Sequence, residues 1–189
     1  MEQTPKTRSF IAVNLPAEIK YYLADLVDQL RKINPEQNIK WVNPDGIHFT
    51  LHFLGYLNQN QLDQIKKIIN QSVFNRAAID VELTELGGFP NLKRPRVLFV
   101  GCHEINNQNI LTQIQNNLGQ ELKKLKLDVD SRPWQMHLTL ARLKIPSPVH
   151  LPKLKIKKLK FTVFSIDLMK SELHRTGAQY SIIEKFPLS

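Results

Sequence analysis

The sequence contains a single cysteine, Cys102, among its 189 residues, which excludes an internal disulfide and a cysteine-based zinc site. Cys102 lies in an apolar, strand-like run, which predicts a buried and unreactive thiol. No apolar run approaches the roughly 18 residues of a membrane-spanning helix, and the first ten residues, MEQTPKTRSF, lack a secretory pattern. We therefore expect a cytoplasmic protein without membrane contact.

Glycine-rich phosphate-binding motifs are also missing, because neither G-x-x-x-x-G-K-[ST] nor a G-x-G-x-x-G after a strand occurs. Hydrophobic residues make up 42% and charged residues 23%, which is ordinary for a globular domain. Lys and Arg total 26 against 17 acidic residues, and this net charge of +9 favours phosphate-bearing partners. The lysine-rich stretch 151–160, LPKLKIKKLK, fits either an edge strand protected by lysine or an RNA-facing patch.

Residues 48–54, HFTLHFL, alternate polar and apolar side chains as a strand does. Strict alternation predicts two groups on opposite faces: His48, Thr50 and His52 on one, and Phe49, Leu51 and Phe53 on the other. A sheet with one solvated face would produce the same pattern without any chemistry. This stretch alone leaves a structural and a functional interpretation open.

A second stretch of the same kind, MHLTLAR at 136–142, alternates His137 and Thr139 with Leu138 and Leu140. His48 and His137 are 89 residues apart, and shifting the sequence by 89 aligns further segments. The strand candidate 8–15, RSFIAVNL, falls on 97–104, VLFVGCHE. The repeat predicts one bilobal domain over 1–189, with approximate halves 8–90 and 97–188.

Apolar residues recur with helical spacing in 17–33 and 106–127, which correspond at this offset, and again in 60–74. Segments 78–89 and 95–100 form one predicted antiparallel hairpin, and 160–173 and 178–186 form another. The proline-containing segment 143–155 is predicted to be a loop. The predicted fold class is α+β, with two pseudo-symmetric lobes, each a mostly antiparallel sheet with helices, around a cleft that carries both H-x-T-x motifs.

Two histidines and two threonines that meet in one cleft have a definite chemical use. An imidazole with a pKa of about 6.5 can act as a neutral base or as a protonated acid near neutral pH. The hydroxyls of Thr50 and Thr139 can donate to oxygens that gain charge during displacement at phosphorus. We therefore predict catalytic roles for His48 and His137, and a bell-shaped pH profile with limbs within about two units of 6.5.

The other histidines do not extend this set. His52 has Ala141 at its equivalent place, and we interpret His52 as a polar residue near a strand end. His103, His150 and His174 stand in no motif and are expected at the surface. Few carboxylates accompany the motifs, so we expect no metal and no cofactor, with a metal-dependent phosphohydrolase as an alternative.

The segments that carry these motifs resemble a known family. They are 41–55, WVNPDGIHFTLHFLG, 85–101, ELGGFPNLKRPRVLFVG, and 136–142, MHLTLAR, and in this order they are similar to the two-histidine phosphoesterases. The resemblance is closest to the bacterial and archaeal RNA 2′,3′-cyclic phosphodiesterases, formerly called 2′-5′ RNA ligases. The ending 171–188, SELHRTGAQYSIIEKFPL, is similar to that branch as well, so the resemblance spans Phe10 to Leu188.

The resemblance implies a bilobal, metal-free enzyme that opens a terminal 2′,3′-cyclic phosphate to a 2′-phosphate. It implies that His48 is the proton donor and His137 the proton acceptor, and that Thr50 and Thr139 contact phosphate oxygens. Arg142 matches the second motif too, but alternation places it opposite His137, so a substrate contact from it requires a bulge. The remaining motif positions are apolar: Phe49, Leu51, Leu138 and Leu140.

Alternatives to hydrolysis stay open. The same acid and base can run RNA ligation in the reverse direction, and an RNA-binding protein without activity would explain the charge but not the duplicated histidines. The expected partner is RNA with a 2′,3′-cyclic phosphate end. We expect a monomer without an obligate protein partner, because the two lobes complete the cleft within one chain.

Overall fold

The computed structural model describes residues 6–35, 38–106, 108–151, 155–174 and 177–188. Within these residues the chain forms helices and strands in the order β1 (Thr7–Asn14), α1 (Ala17–Ile33), β2 (Ile39–Trp41), β3 (His48–Leu57), α2 (Gln59–Val73), β4 (Ile79–Phe89), β5 (Val97–Glu104), α3 (Ile110–Lys124), β6 (His137–Leu143), β7 (Lys160–Val163), β8 (Ser165–His174) and β9 (Gly177–Pro187). A short 3₁₀ helix, Pro44–Gly46, leads into β3.

The strands form two sheets, and every described strand pair is antiparallel. The first sheet has the order β3-β1-β8-β9, and the second has the order β2-β6-β5-β4-β7. Both predicted hairpins are present, as β4 with β5 and as β8 with β9. The α+β class with two antiparallel sheets is confirmed.

Each sheet draws strands from both halves of the sequence. The first sheet combines β1 and β3 with β8 and β9, and the second combines β5, β6 and β7 with β2 and β4. The hairpin of β4 and β5 contains the boundary between the halves, so this boundary lies inside the second sheet. The lobes therefore do not coincide with the halves 8–90 and 97–188.

The helices bury the apolar stripes that their spacing predicts. Their buried apolar residues are Ile19, Leu23, Leu26, Val27 and Leu30 in α1, Leu62, Ile65, Ile69 and Val73 in α2, and Leu111, Ile114, Leu118 and Leu122 in α3. Helix α2 begins with a capping box in which Asn58 and Gln61 bond to each other's backbone N–H. Helix α3 begins at Ile110, later than predicted, because the buried Glu104 carboxylate accepts from Ile110 N at 2.8 Å and Leu111 N at 2.7 Å.

The two strands that begin with the motif histidines each carry an extra residue directly after the threonine of the motif, and β3 carries a second one at Leu54. Along β3, Thr50 pairs with Ala12 and His52 pairs with Ile11, so Leu51 has no partner. Along β6, Thr139 pairs with Phe99 and Ala141 with Leu98, so Leu140 has no partner. These are β-bulges, and they reverse the inward and outward alternation beyond them. The two motifs therefore share one backbone irregularity at the same position.

The strands next to the motif strands correspond at a different offset. Thr50 faces Ala12 and Thr139 faces Phe99 in the ladders, which are 87 residues apart rather than 89. The offset of 89 instead aligns Phe10 with Phe99, and each of these rings contacts the histidine of its own lobe. The offset of 89 residues therefore relates the two histidine strands, whereas the residues paired with them in the ladders are related by an offset of 87.

Backbone and side-chain contacts join the two lobes near the motifs. The indole Nε1 of Trp134, just before β6, donates to the Thr50 carbonyl at 2.9 Å. Helix α3 follows β5 of the second sheet but packs against β3 of the first. No helix among the described residues combines the length and the apolar character needed to cross a membrane.

The remaining expectations can be placed on this fold. His103, His150 and His174 are exposed as expected, and Cys102 is half-buried, with burial raising the pKa of its thiol. Of the lysine-rich stretch, 152–154 lie outside the described residues and only Lys160 belongs to a strand, the edge strand β7. Lys157 packs over the Tyr22 ring of α1, with its Nζ 5.8 Å from the centroid.

Candidate active site

Both motif histidines are held by the same backbone contact. His48 Nδ1 lies 2.7 Å from the Gly46 carbonyl, and His137 Nδ1 lies 2.7 Å from the Gln135 carbonyl. A carbonyl oxygen can only accept, so in each ring Nδ1 carries the hydrogen and donates. The Nε2 atom of each histidine is therefore left for proton exchange with a ligand.

Aromatic side chains fix the orientation of both imidazoles. His48 packs against Phe10, with ring centroids 4.9 Å apart, and edge-on against Tyr180 of β9 at 5.2 Å. His137 contacts Phe89 at 5.1 Å and Phe99 at 5.4 Å. The aromatic walls limit ring rotation and reduce the water around each imidazole, which raises the free-energy cost of a positive charge there.

The two histidines therefore have lower pKa values than a free imidazole and stay neutral down to a lower pH. The pKa of His48 is lowered from 6.5 to about 4, mainly by burial and to a smaller extent by the positive charges of Lys20, Arg142 and protonated His137, against the opposing bond to Gly46. Burial also lowers the pKa of His137, with a contribution from Arg142. The predicted pH limbs near 6.5 thus move to lower pH in the ligand-free protein.

The bulge at Leu51 corrects the predicted position of His52. Beyond it His52 turns into the core, where only 4% of its surface is exposed, and Phe53 turns outward with 58% exposed. The interpretation of His52 as a polar residue on the face of His48, near a strand end, is wrong. Alternation could not predict this, because the unpaired residue is an ordinary leucine.

In the core, His52 joins β3 to helix α3. Its Nε2 lies 2.7 Å from the Gln115 carbonyl, and burial lowers its pKa. A Cβ at position 119 would approach His52 Cε1 to 3.1 Å, so Gly119 makes room for this ring. His52 supports the histidine strand from behind and does not reach the cleft.

Acid is expected to destabilise the protein through these three histidines. Each has a folded-state pKa below its unfolded value of about 6.5, so unfolding takes up protons as the pH falls. The free energy of unfolding should be constant above about pH 7 with respect to these groups. It should fall between about pH 6.5 and 4, by about 1.4 kcal/mol per pH unit for each proton taken up.

Urea unfolding at pH 7.5, 6.0 and 5.0 measures this dependence. The variant His52→Gln should show a shallower decrease than the unmodified chain, because one of the three groups is removed. The matched control is His150→Gln, since His150 is exposed and makes no contact within 4.0 Å with a carboxylate among the described residues, and it should keep the original slope. An unfolding free energy that rises on acidification would contradict the assigned direction.

The bulge at Leu140 turns Arg142 outward, whereas the bulge at Leu51 turns His52 inward. It places Ala141 in the core and Arg142 on the exposed face of His137 and Thr139. The burial pattern of 137–143 repeats that of 48–54 residue by residue, so Arg142 occupies the place that Phe53 has in the first lobe. The bulge that a substrate contact from Arg142 requires is therefore present.

A cavity of about 420 Å³ lies between the two motif strands. His48 and Thr50 line it from the first lobe, and Thr139 and Arg142 from the second. His137 is not among the lining residues, but it precedes Thr139 on the same face and its charge acts on His48. Three of the four predicted motif side chains and Arg142 thus share one cavity, with His137 beside it.

Several cavity residues were missed in the sequence. Arg8 lines the cavity and donates from Nη1 to Ser171 Oγ at 2.5 Å, and Tyr180 and Phe53 form an aromatic side. Alternation along β1 places Arg8 on the face of Phe10, which is the pattern that could have indicated it. Tyr180 comes from the far end of the chain, and its contact with His48 depends on tertiary packing alone.

The charges around the cavity are of one sign. Arg8 and Arg142 line it, and Lys20 lies near enough to lower the pKa of His48, with its Nζ donating to the Asp45 carbonyl at 2.9 Å. No aspartate or glutamate of the described part of the chain is among the lining residues. Across the described ranges, no group of three or more His, Cys, Asp or Glu side chains could hold a metal ion. The cavity is suited to an anion.

Comparison with known proteins places this arrangement in a family. The family model of LigT-like phosphoesterases matches residues 13–99 and 104–180, which include both motif strands. The chain belongs to the LigT-like phosphoesterase family. The predicted resemblance is confirmed.

Individual members of the LigT-like family agree with this assignment. An RNA 2′,3′-cyclic phosphodiesterase of Thermus thermophilus is 31% identical over 185 residues, which cover 96% of this chain and 90% of that protein. The crystal structure of TT0787, also from T. thermophilus, is 29% identical with a TM-score of 0.81, covering 96% of this chain and 97% of that one. E. coli LigT crystallised with 3′-AMP has the same fold, with a TM-score of 0.81, 22% identity and coverage of 97% and 99%.

Proposed function

We propose that the chain is an RNA 2′,3′-cyclic phosphodiesterase that hydrolyses a terminal 2′,3′-cyclic phosphate to a 2′-phosphate. The observation that carries this proposal is the pair of histidines, each with Nδ1 bonded to a carbonyl and Nε2 free, beside two threonines and Arg142. The activity carried in the name of its T. thermophilus relative supports the same reaction. The cationic lining of the cavity supports an anionic substrate.

In the proposed mechanism the two histidines act at opposite ends of an in-line displacement. His137 Nε2 removes a proton from water, whose oxygen attacks phosphorus while the bond from phosphorus to O3′ breaks. His48 Nε2 gives its proton to O3′, which leaves a 3′-hydroxyl and a 2′-phosphate. The assignment of base to His137 and acid to His48 comes from the family resemblance.

The phosphate oxygens gain charge during this displacement and need donors at fixed positions. Thr50 and Thr139 supply one hydroxyl from each motif strand, and Arg142 supplies a guanidinium on the same face. Each threonine lies two residues after its histidine on the same strand. The strand therefore holds the hydroxyl donor and the imidazole in a fixed position relative to each other. This arrangement supports roles for Thr50, Thr139 and Arg142 in phosphate binding.

The negative charge of the substrate explains how His48 can act as an acid despite its low pKa in the ligand-free protein. At neutral pH a pKa of about 4 leaves His48 uncharged in the ligand-free protein. A phosphate anion bound next to the ring favours the imidazolium and raises its pKa. We propose that His48 takes up its proton with the substrate, so the pH profile of kcat should lie at higher pH than that of kcat/KM.

The aromatic side of the cavity supports a nucleotide rather than a simple phosphate ester. Phe53 and Tyr180 line the cavity with 58% and 40% of their surfaces exposed. Exposed rings beside a phosphate site offer a stacking surface for a base, and such stacking tolerates any base. A protein that only binds RNA would use the same surface, and turnover separates the two functions.

The direct test is incubation with a short RNA that ends in a 2′,3′-cyclic phosphate, followed by separation of the product isomers. A 2′-phosphate with a free 3′-hydroxyl is the expected product. Formation of the 3′-phosphate, or no turnover while RNA is bound, would contradict the proposed reaction. Ligation in the same site would appear as a longer RNA when a 5′-hydroxyl RNA is added.

Excess chelator is expected to leave the rate unchanged. The proposed chemistry uses only side chains, and the described part of the chain offers no metal-ligand cluster. Initial rates on the cyclic-phosphate RNA should be compared before and after treatment with EDTA. Loss of activity that zinc or manganese restores would favour a metal-dependent phosphohydrolase instead.

We further propose that the enzyme acts as a cytoplasmic monomer. Both motif strands and the aromatic side of the cavity come from one chain, which supports a complete site without a partner. The single cysteine is compatible with a reducing compartment. Sedimentation at micromolar concentration measures the oligomeric state.

A further inference from the structure

The short strand β2 breaks the pseudo-symmetry of the two lobes. It adds an edge to the second sheet outside β6, whereas β3, the equivalent of β6, is itself the edge of the first sheet in the described residues. Ile39 and Trp41 of β2 are partly buried against the core, and Lys40 between them is exposed. Alternation therefore places Lys40 on the opposite face of the sheet from the core.

Lys40 lies directly beside Arg142. The two residues face each other in the ladder of β2 and β6. Residues that are directly opposite in an antiparallel pair share a face, with Cβ atoms about 4.5–5.5 Å apart. Because Arg142 lines the cavity, Lys40 extends the cationic surface by one strand spacing, about 4.8 Å, away from Thr139.

Two cations in this position have no carboxylate to neutralise them. Neither Lys40 nor Arg142 takes part in any ion pair within 4.0 Å among the residues that the structure describes. Like charges directly opposite each other destabilise a sheet. An anion bound across the pair would offset that cost.

The position equivalent to Arg142 in the first lobe is Phe53, an exposed aromatic residue with no strand beyond it in the described sheet. Phe53 and Tyr180 thus line the cavity with Arg8 on the first-lobe side, whereas Arg142 lines it on the second-lobe side with Lys40 beyond it. The cyclic phosphate carries one negative charge, and the cavity already offers it the hydroxyls of Thr50 and Thr139 and the guanidinium groups of Arg8 and Arg142. A second cation beyond Arg142 fits a second phosphate of the same chain.

We propose that Lys40, with Arg142, binds the phosphodiester that precedes the cyclic phosphate, so the site recognises the last two nucleotides of single-stranded RNA. This inference rests on the proposed function and identifies its substrate as an oligonucleotide end rather than a cyclic mononucleotide. The ligand group is a singly charged 3′,5′-phosphodiester. Contact with one such phosphate is independent of base identity and depends on salt.

The test compares two substrates with the same terminal base, a 2′,3′-cyclic mononucleotide and a dinucleotide with a 2′,3′-cyclic end. Lys40→Gln is expected to lower kcat/KM for the dinucleotide about fivefold, the upper range for one exposed ion pair, and to leave the mononucleotide unchanged. The slope of log(kcat/KM) against log salt for the dinucleotide should become shallower by about 0.7. Lys67→Gln, an exposed lysine of α2 outside the cavity, is the charge-matched control and should change neither substrate.

An equal loss on both substrates, or no loss on the dinucleotide, would overturn the inference. Fluorescence anisotropy with a labelled trinucleotide that ends in a 3′-phosphate gives a second readout that needs no turnover. If the unmodified chain cleaves neither substrate but Lys40→Gln still weakens this binding and Lys67→Gln does not, the proposed reaction fails and the phosphate site stands. A melting temperature of Lys40→Gln at or above that of the unmodified chain would show that the loss is not one of folding.

Discussion

Replacing either motif histidine by alanine is expected to lower kcat/KM on a cyclic-phosphate RNA end by about 10²–10⁴, because each removes one proton-transfer group. The expectation rests on two rings with the same local geometry, each bonded through Nδ1 to the carbonyl two residues earlier. His48→Ala and His137→Ala should therefore be impaired to a similar degree. Steady-state rates on one RNA substrate measure both losses.

The double variant is expected to lose less than the product of the two single losses. Acid and base act in one displacement, so once either is missing the other contributes less. His103→Ala is the control, since His103 is exposed and lies outside the cavity, with its Nε2 3.7 Å from the Glu82 carboxylate. Full activity in either single variant would remove that histidine from the mechanism.

The sequence predicted the motif residues because a period of two holds from the histidine to the threonine. Alternation correctly places His48 with Thr50 and His137 with Thr139 on the faces of their strands that reach the cavity region. It fails immediately afterwards, at Leu51 and Leu140. A bulge depends on the register with the neighbouring strand, which a single strand sequence does not contain. The positions of His52 and Arg142 therefore required the structure.

The sequence also could not predict which strands belong to the same sheet. A hairpin such as β4 with β5 is a local feature and was predicted, but the sheet that it joins is decided by packing far along the chain. The same holds for the contact of Tyr180 with His48, which are 132 residues apart. Strand β2 is only three residues long, too short for a periodic pattern, so Lys40 could be placed beside Arg142 only through its register.

The structure and the family resemblance favour different roles for the histidines in the ligand-free state. Burial holds the pKa of His48 at about 4, which suits a neutral base, whereas the resemblance makes His48 the acid. The two agree if the substrate anion raises the pKa of His48 on binding. A substrate that needs no acid can therefore separate the roles, because only the base is then required.

A phosphodiester with a nitrophenolate leaving group is such a substrate, since nitrophenolate departs without protonation. His48→Ala is expected to recover to within about tenfold of the unmodified chain on this substrate, while His137→Ala stays about 10²–10⁴ slower because its water is not activated. The ratio of rates on the nitrophenyl and RNA substrates, measured for both variants and for His103→Ala, gives the result without comparing absolute rates. Recovery of His137→Ala instead would mean that His48 is the base, as its low pKa in the ligand-free protein favours, and that the acid lies in the second lobe.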